Sequence, residues 1–135
     1  MLSNGMQVTE LLKPDFEVIQ FITSFDYAKA EFGNLLTGQP PKTPSSNDVG
    51  THDYTQQPLR AIIFGRGYSF DQVSELYELF KGKSSTPIAW IAGDPDFVLP
   101  AKLPPDYAVM AAENTKRAFR RWEEAGGERE EIVLY

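Results

Sequence analysis

The sequence contains no cysteine and a single histidine. The absence of cysteine excludes disulfide bonds, thiolate zinc sites and cysteine nucleophiles. It also agrees with a reducing compartment, so we expect a soluble cytoplasmic protein. No apolar run approaches the length that a bilayer span requires, and residues 1–10 lack the charged start and apolar stretch of a signal peptide. We therefore expect neither membrane insertion nor secretion.

The remaining composition is that of an ordinary folded domain. The chain has 135 residues, of which 41% are hydrophobic and 13% aromatic, enough for one packed core. Its net charge of −6 repels phosphodiester backbones, so nucleic acid is not expected as a partner. Three glutamates share the segment of the single basic cluster, a mixture typical of a solvated helix face. The cluster consists of Lys116, Arg117, Arg120 and Arg121.

Short β-rich runs alternate with helical patterns along the chain. Strands are predicted over residues 16–22, 59–64, 87–92 and 131–135. Apolar stripes predict helices around residues 28–36, 73–80 and 111–122, after a short helix at 8–12. The run 87–92 has no polar residue, which is typical of a strand buried on both faces of a parallel sheet. We predict one α/β domain over residues 1–135, with about four parallel strands in β-α-β-α-β-α-β order, right-handed crossovers and helices on both faces.

Local signals mark the ends of these helices. Ser24 and Asp106 are predicted N-caps, and Ser69 with Gln72 has the spacing of a capping box. Gly38 follows the end of its helix, where positive φ is favoured. Between the first two long helices, residues 39–58 form a long polar, proline-rich loop. Such a loop is either a functional lid or a disordered connector.

Ligands of open parallel sheets bind beyond the carboxyl ends of the strands, near helix N-termini that attract anions. The residues at those predicted ends are Thr23, Ser24, Gly65, Arg66, Gly67, Tyr68 and Asp94. Arg66 supplies a fork for phosphate or carboxylate, and its flanking glycines permit close backbone approach. The alternative is a tight turn in which Arg66 pairs with a neighbouring carboxylate.

Three segments carry a resemblance to a known group of proteins: 60–68 (RAIIFGRGY), 90–95 (WIAGDP) and 132–135 (IVLY). Through them, residues 16–135 resemble small, truncated Rossmann-like proteins of filamentous fungi, some encoded beside secondary-metabolite genes. The resemblance implies a three-layer Rossmann- or flavodoxin-like sandwich and nominal NAD(P) binding. The turn at 65–67 lacks the third glycine of the dinucleotide fingerprint, and no P-loop is present, so the cofactor remains unknown.

Several residues have both a chemical and a structural interpretation. His52 beside Asp53 is either a general base or a solvated loop residue. Asp94 and Asp96 suit either Mg²⁺ with phosphate or an ordinary turn, and no metal site made of protein ligands alone is predicted. Neither Tyr54 nor Tyr68 has the lysine four residues later that short-chain reductases use. Trp122 belongs to the core stripe or anchors an interface.

Two functional hypotheses follow. The first is a non-catalytic or accessory domain that binds a small anionic ligand or a protein partner, as a homodimer if the strand at 131–135 is at an edge of the sheet. The second is a small biosynthetic enzyme acting on an anionic or carbonyl compound, with or without a nucleotide cofactor. It would use Ser24, Arg66, Tyr68 and Asp94, with the loop 39–58 closing over them.

Overall fold

The computed structural model contains four helices and three strands within the residues that it describes. In chain order these are α1 (Asn4–Leu11), α2 (Phe25–Leu36), β1 (Ala61–Ile63), α3 (Phe70–Phe80), β2 (Ala89–Ala92), α4 (Tyr107–Glu124) and β3 (Glu131–Leu134). The described residues are 4–13, 16–20, 22, 24–43, 50–53, 59–65, 68–96, 102 and 104–135. None of the helices in these ranges is both long and apolar enough to cross a membrane.

The strands form one parallel sheet in the order β1-β2-β3. Ile62 of β1 and Ile132 of β3 lie on either side of Trp90 in the central strand. All four residues of β2 are buried, as the uninterrupted apolar run predicted. The prediction of a mixed α/β domain with a parallel sheet is therefore confirmed.

The prediction of a first strand over residues 16–22 is wrong for the part of this segment that the structure describes. Residues 16–20 and 22 have no strand assignment, and the sheet of the described residues has three strands instead of four. The segment finds its backbone partners in the long loop: Thr51 N–H donates to the Val18 carbonyl at 2.9 Å, and His52 N–H donates to the Ile19 carbonyl at 2.8 Å. The Val18 and Ile19 carbonyls are thus bonded to the long loop, outside the sheet.

The helices cover both faces of the sheet, as predicted. On one face, residues of α2 and α3 pack with Phe64, Trp90 and Ala92. On the other face, Ala118 and Trp122 of α4 pack against Ala89 and Ile91. α1 packs against α4 on this second side.

This arrangement contradicts the prediction that every crossover is right-handed. The connections through α3 and α4 step across the sheet in the same direction, because the strand order is sequential. Their helices nevertheless lie on opposite faces. The two crossovers therefore have opposite hands, and one of them departs from the usual rule for parallel strands. This order also differs from a Rossmann fold, in which helices reach both faces because the strand order reverses.

Trp90 is the centre of the first core. Its side chain is fully buried, stacked against Phe64 with ring centroids 6.1 Å apart and in edge contact with Tyr77 at 5.6 Å. Its indole N–H donates to a carboxylate oxygen of Glu130 at 2.9 Å. The same oxygen accepts the Gly82 N–H at 3.3 Å, so Glu130 ties β3 to the end of α3 and to the central strand.

Trp122 belongs to the second core. It is only 3% exposed, and its indole N–H donates to the Arg129 carbonyl at 2.7 Å. The hypothesis that it anchors an interface is therefore wrong, because a side chain only 3% exposed presents almost no surface to a partner.

The predicted helix caps are largely confirmed. The Ser24 hydroxyl accepts the Tyr27 N–H, and Ser69 with Gln72 forms the complete capping box. Gly38 has φ +82° just beyond α2. Asp106 is the N-cap residue of α4, but its side chain makes no capping hydrogen bond.

Candidate functional site

The carboxyl ends of the three strands meet at one edge of the sheet, as required by their parallel direction. Tyr135 joins these ends. Its N–H donates to the Ala92 carbonyl at 2.9 Å, and its carbonyl accepts the Asp94 N–H at 3.1 Å. Its hydroxyl donates to the Phe64 carbonyl at 3.0 Å. The ring of Tyr135 thus spans the end of β2 and reaches the end of β1, across the position where α/β proteins usually admit a ligand.

Tyr68 lies at the same edge, after β1. Its N–H donates to the Gly65 carbonyl at 3.2 Å, and its hydroxyl donates to the Ile22 carbonyl at 3.1 Å. The ring meets Phe64 edge-on at 5.5 Å. Burial raises the pKa of the Tyr68 hydroxyl above its usual value, so the phenol remains a neutral hydrogen-bond donor at physiological pH. Its role in this geometry is to join the segment near Ile22 to the β1 turn.

Asp94 follows β2 and is half-buried. One of its carboxylate oxygens accepts the Asp96 N–H at 2.8 Å, which is the hydrogen bond of an Asx turn. This geometry favours the turn interpretation of the Asp-Pro-Asp segment. The described residues contain no group of three or more histidine, cysteine or acidic side chains placed to hold a metal ion.

The N-termini of α2 and α3 are occupied by their own side chains. Ser24 accepts the Tyr27 N–H at 3.2 Å, and Ser69 accepts the Gln72 N–H at 3.2 Å. The first turn of each helix also carries an aspartate, Asp26 in α2 and Asp71 in α3. An anion approaching either terminus would meet a capped donor and a carboxylate.

Gly65 is the predicted site residue with the most room. It is exposed, and a Cβ atom built on it would have no heavy atom within 4 Å apart from those of Gly65 itself and its two chain neighbours. Thr23, Arg66 and Gly67 lie outside the described residues, and so does Tyr54. The structure thus places Ser24, Gly65, Tyr68 and Asp94 near helix or strand ends, while the anion site proposed around Arg66 stays a prediction.

His52 lies in the long loop. It is half-buried, and its backbone has φ +55°, the one positive φ outside glycine among the described residues. Its N–H is bonded to Ile19. The neighbouring Gly50 packs so closely on Ile19 that a Cβ there would lie 2.5 Å from the Ile19 carbonyl oxygen. This end of the loop is therefore fixed to the body of the domain.

The other described end of the loop is held by Glu31, which the sequence analysis did not single out. Glu31 is 3% exposed and accepts the Lys42 N–H at 2.7 Å and the Thr43 N–H at 3.3 Å. The Tyr27 hydroxyl donates to the Thr43 carbonyl at 2.6 Å. The sequence does contain a signal for this role, because Glu31 lies beside Phe32 on the apolar stripe of its helix. A carboxylate buried on such a stripe needs a hydrogen-bond donor from elsewhere in the chain.

The chain is similar to a known fungal protein. No family model matches the chain, and no solved structure matches it. Over 131 residues the chain is 31% identical to kojic acid related protein 6 of Aspergillus oryzae, which covers 95% of this chain and 77% of the relative. The kinship with a fungal protein agrees with the fungal resemblance of the sequence. The chain belongs to the family of kojic acid related protein 6.

Proposed function

We propose that this chain is a non-catalytic accessory protein of fungal secondary metabolism that acts by association, with a second copy of itself as a partner. The link to secondary metabolism comes from the name of its relative, kojic acid related protein 6. The mode of action is inferred from the carboxyl edge of the sheet, where a catalytic or cofactor site would be expected.

The observation that carries the proposal is the position of Tyr135. Its hydroxyl is bonded to the Phe64 carbonyl, so the side chain extends from the end of β3 past the end of β2 to the end of β1. The Tyr68 hydroxyl is likewise directed to a backbone carbonyl, and Asp94 closes its own turn. These polar side chains are thus bonded to backbone groups of the fold itself, which favours a structural role over substrate binding.

A small enzyme acting on an anionic or carbonyl compound is the second candidate. The open space beside Gly65 favours it, because a ligand could approach the backbone there without displacing a side chain. In this case Arg66 would bind the anion.

Two measurements on the purified protein decide between these functions. Sedimentation velocity across the micromolar range should show a dimer. A thermal-shift screen should show no stabilisation by nucleotides, dinucleotides, phosphates, small carboxylates or kojic acid. A bound ligand at about one hundred times its dissociation constant would add roughly 2.7 kcal/mol, which a melting curve resolves. A monomer whose melting temperature rises with a ligand, and no longer does so in Arg66→Ala, would overturn the proposal and favour the enzyme.

A further inference from the structure

Within the described residues β3 lies at an edge of the sheet, and the hydrogen-bonding pattern shows which of its backbone groups face outward. Tyr135 bonds to β2 through both its N–H and its carbonyl. Because bonding alternates along a parallel strand, Val133 and Glu131 also face β2, while the backbone groups of Ile132 and Leu134 face away from it. In the described part of the chain one of these outward groups has a partner: the Leu134 carbonyl accepts from the Arg121 guanidinium at 2.7 Å.

The side chains of β3 divide between the two faces of the sheet. Ile132 and Leu134 pack at the rim of the core under α2 and α3. Val133 and Tyr135 lie on the α4 face, and so, by alternation, does Glu131. The edge therefore presents apolar side chains on one face and a carboxylate on the other, next to outward backbone groups that favour strand addition.

We infer that two copies of the chain pair antiparallel along β3, about a two-fold axis perpendicular to the sheet at Val133. This inference rests on the proposed function, whose partner surface it identifies. In this register Ile132 faces Leu134 of the partner subunit, and the two residues exchange N–H···O=C bonds across the axis. The Leu134 carbonyl then accepts the Ile132 N–H of the partner subunit in addition to the Arg121 guanidinium, since a carbonyl oxygen has two lone pairs. Because the axis is perpendicular to the sheet, the faces covered by α2 and α3 lie on the same side in both copies. The Ile132 and Leu134 side chains of the two copies then form one continuous apolar surface.

Charge complementarity favours a second copy over an unrelated peptide. In this register the end of one β3 lies beside the start of the other. The Arg121 guanidinium, which is at Leu134 on the α4 face, is then within reach of Glu131 of the partner subunit on the same face. In the single chain Glu131 is 43% exposed and has only a loose contact, 3.9 Å, with an Arg129 that is 86% exposed. Two-fold symmetry forms the Arg121–Glu131 pair twice.

The test is a charge exchange between the two positions. Arg121→Glu or Glu131→Arg alone places like charges across both symmetric contacts, and each should raise the dimer dissociation constant roughly tenfold or more. An equimolar mixture of the two variants should restore a dimer, because every cross-axis contact in the mixed dimer again joins opposite charges. Arg120→Glu and Glu128→Arg are the matched controls, with the same charge changes at exposed neighbouring positions.

A second pair of variants tests the backbone bonds independently of charge. Ile132→Pro removes an outward N–H without touching the β2 ladder, whereas Ile132→Ala removes a similar amount of packing and keeps that N–H. Dimerisation should be lost in the first variant and largely kept in the second.

The outcomes separate this inference from the proposed function. A monomeric wild type would refute the proposed function itself. A wild-type dimer that survives both charge reversals and Ile132→Pro would refute only the β3 interface. Two monomeric variants that fail to dimerise when mixed would refute the Arg121–Glu131 pairing.

Discussion

Replacing Glu130 by alanine should destabilise the domain through Trp90. The substitution removes the acceptor of a fully buried indole N–H, which is 2.9 Å from the carboxylate. A buried donor left without a partner costs about 1–3 kcal/mol. The second donor, the Gly82 N–H, belongs to an exposed residue and can bond to water, so it adds little. We expect a loss of about 1–3 kcal/mol, or roughly 4–12 °C in melting temperature for a domain of this size.

The assay is urea denaturation followed by circular dichroism, with a melting curve in parallel. Two further variants calibrate the result. Glu130→Gln keeps an oxygen acceptor and should lose clearly less stability than Glu130→Ala. Glu128→Ala makes the same change of charge at an exposed neighbour and should stay within about 0.5 kcal/mol of wild type. If Glu130→Ala were as stable as Glu128→Ala, the Glu130 carboxylate would not bind the Trp90 indole in solution.

Two further predictions concern the loop and the β1 turn. Gly50→Ala should cost at least about 1–3 kcal/mol by chemical denaturation, because Gly50 has φ +95° and its Cβ would meet the Ile19 carbonyl, whereas Gly65→Ala, in open space, should be neutral. Burial raises the pKa of Tyr68 above 10.0, so the folded state holds this proton more tightly than the unfolded chain. The stability contributed by this proton is present below pH 10 and is lost as the pH rises through the folded-state pKa. In alkaline buffer the free energy of unfolding should therefore fall more for wild type than for Tyr68→Phe. Parallel pH profiles of the two proteins would contradict this prediction.

The sequence predicted the features that depend on neighbouring residues. Ser69 and Gln72 specify a capping box because their side chains reach backbone groups within one helical turn. The burial of β2 was evident from its unbroken apolar run, since a strand covered on both faces needs no polar side chain. The parallel sheet followed from the alternation of strands and helices.

At the candidate site, the sequence correctly identified Tyr68 and Asp94 as residues following strands, but it did not reveal where their polar groups are directed. The Tyr68 hydroxyl is bonded to a carbonyl 46 residues earlier in the chain. Tyr135 was assigned only to a strand, and its contact with Phe64 joins residues 71 positions apart. No local pattern encodes such a pair, because it exists only after the strands have been ordered.

Tertiary structure alone decided the strand order, the face that each helix covers and the absence of residues 16–20 and 22 from the sheet. A β-rich segment can satisfy its backbone groups in a sheet or against a loop, and its composition is the same in both cases. Here the Val18 and Ile19 carbonyls accept hydrogen bonds from Thr51 and His52 of the loop, and not from a strand of the sheet. Composition and periodicity therefore determined the burial of β2 and the start of α3. Contacts between distant segments determined which strand edge is exposed among the described residues, because backbone pairing is decided by the whole fold.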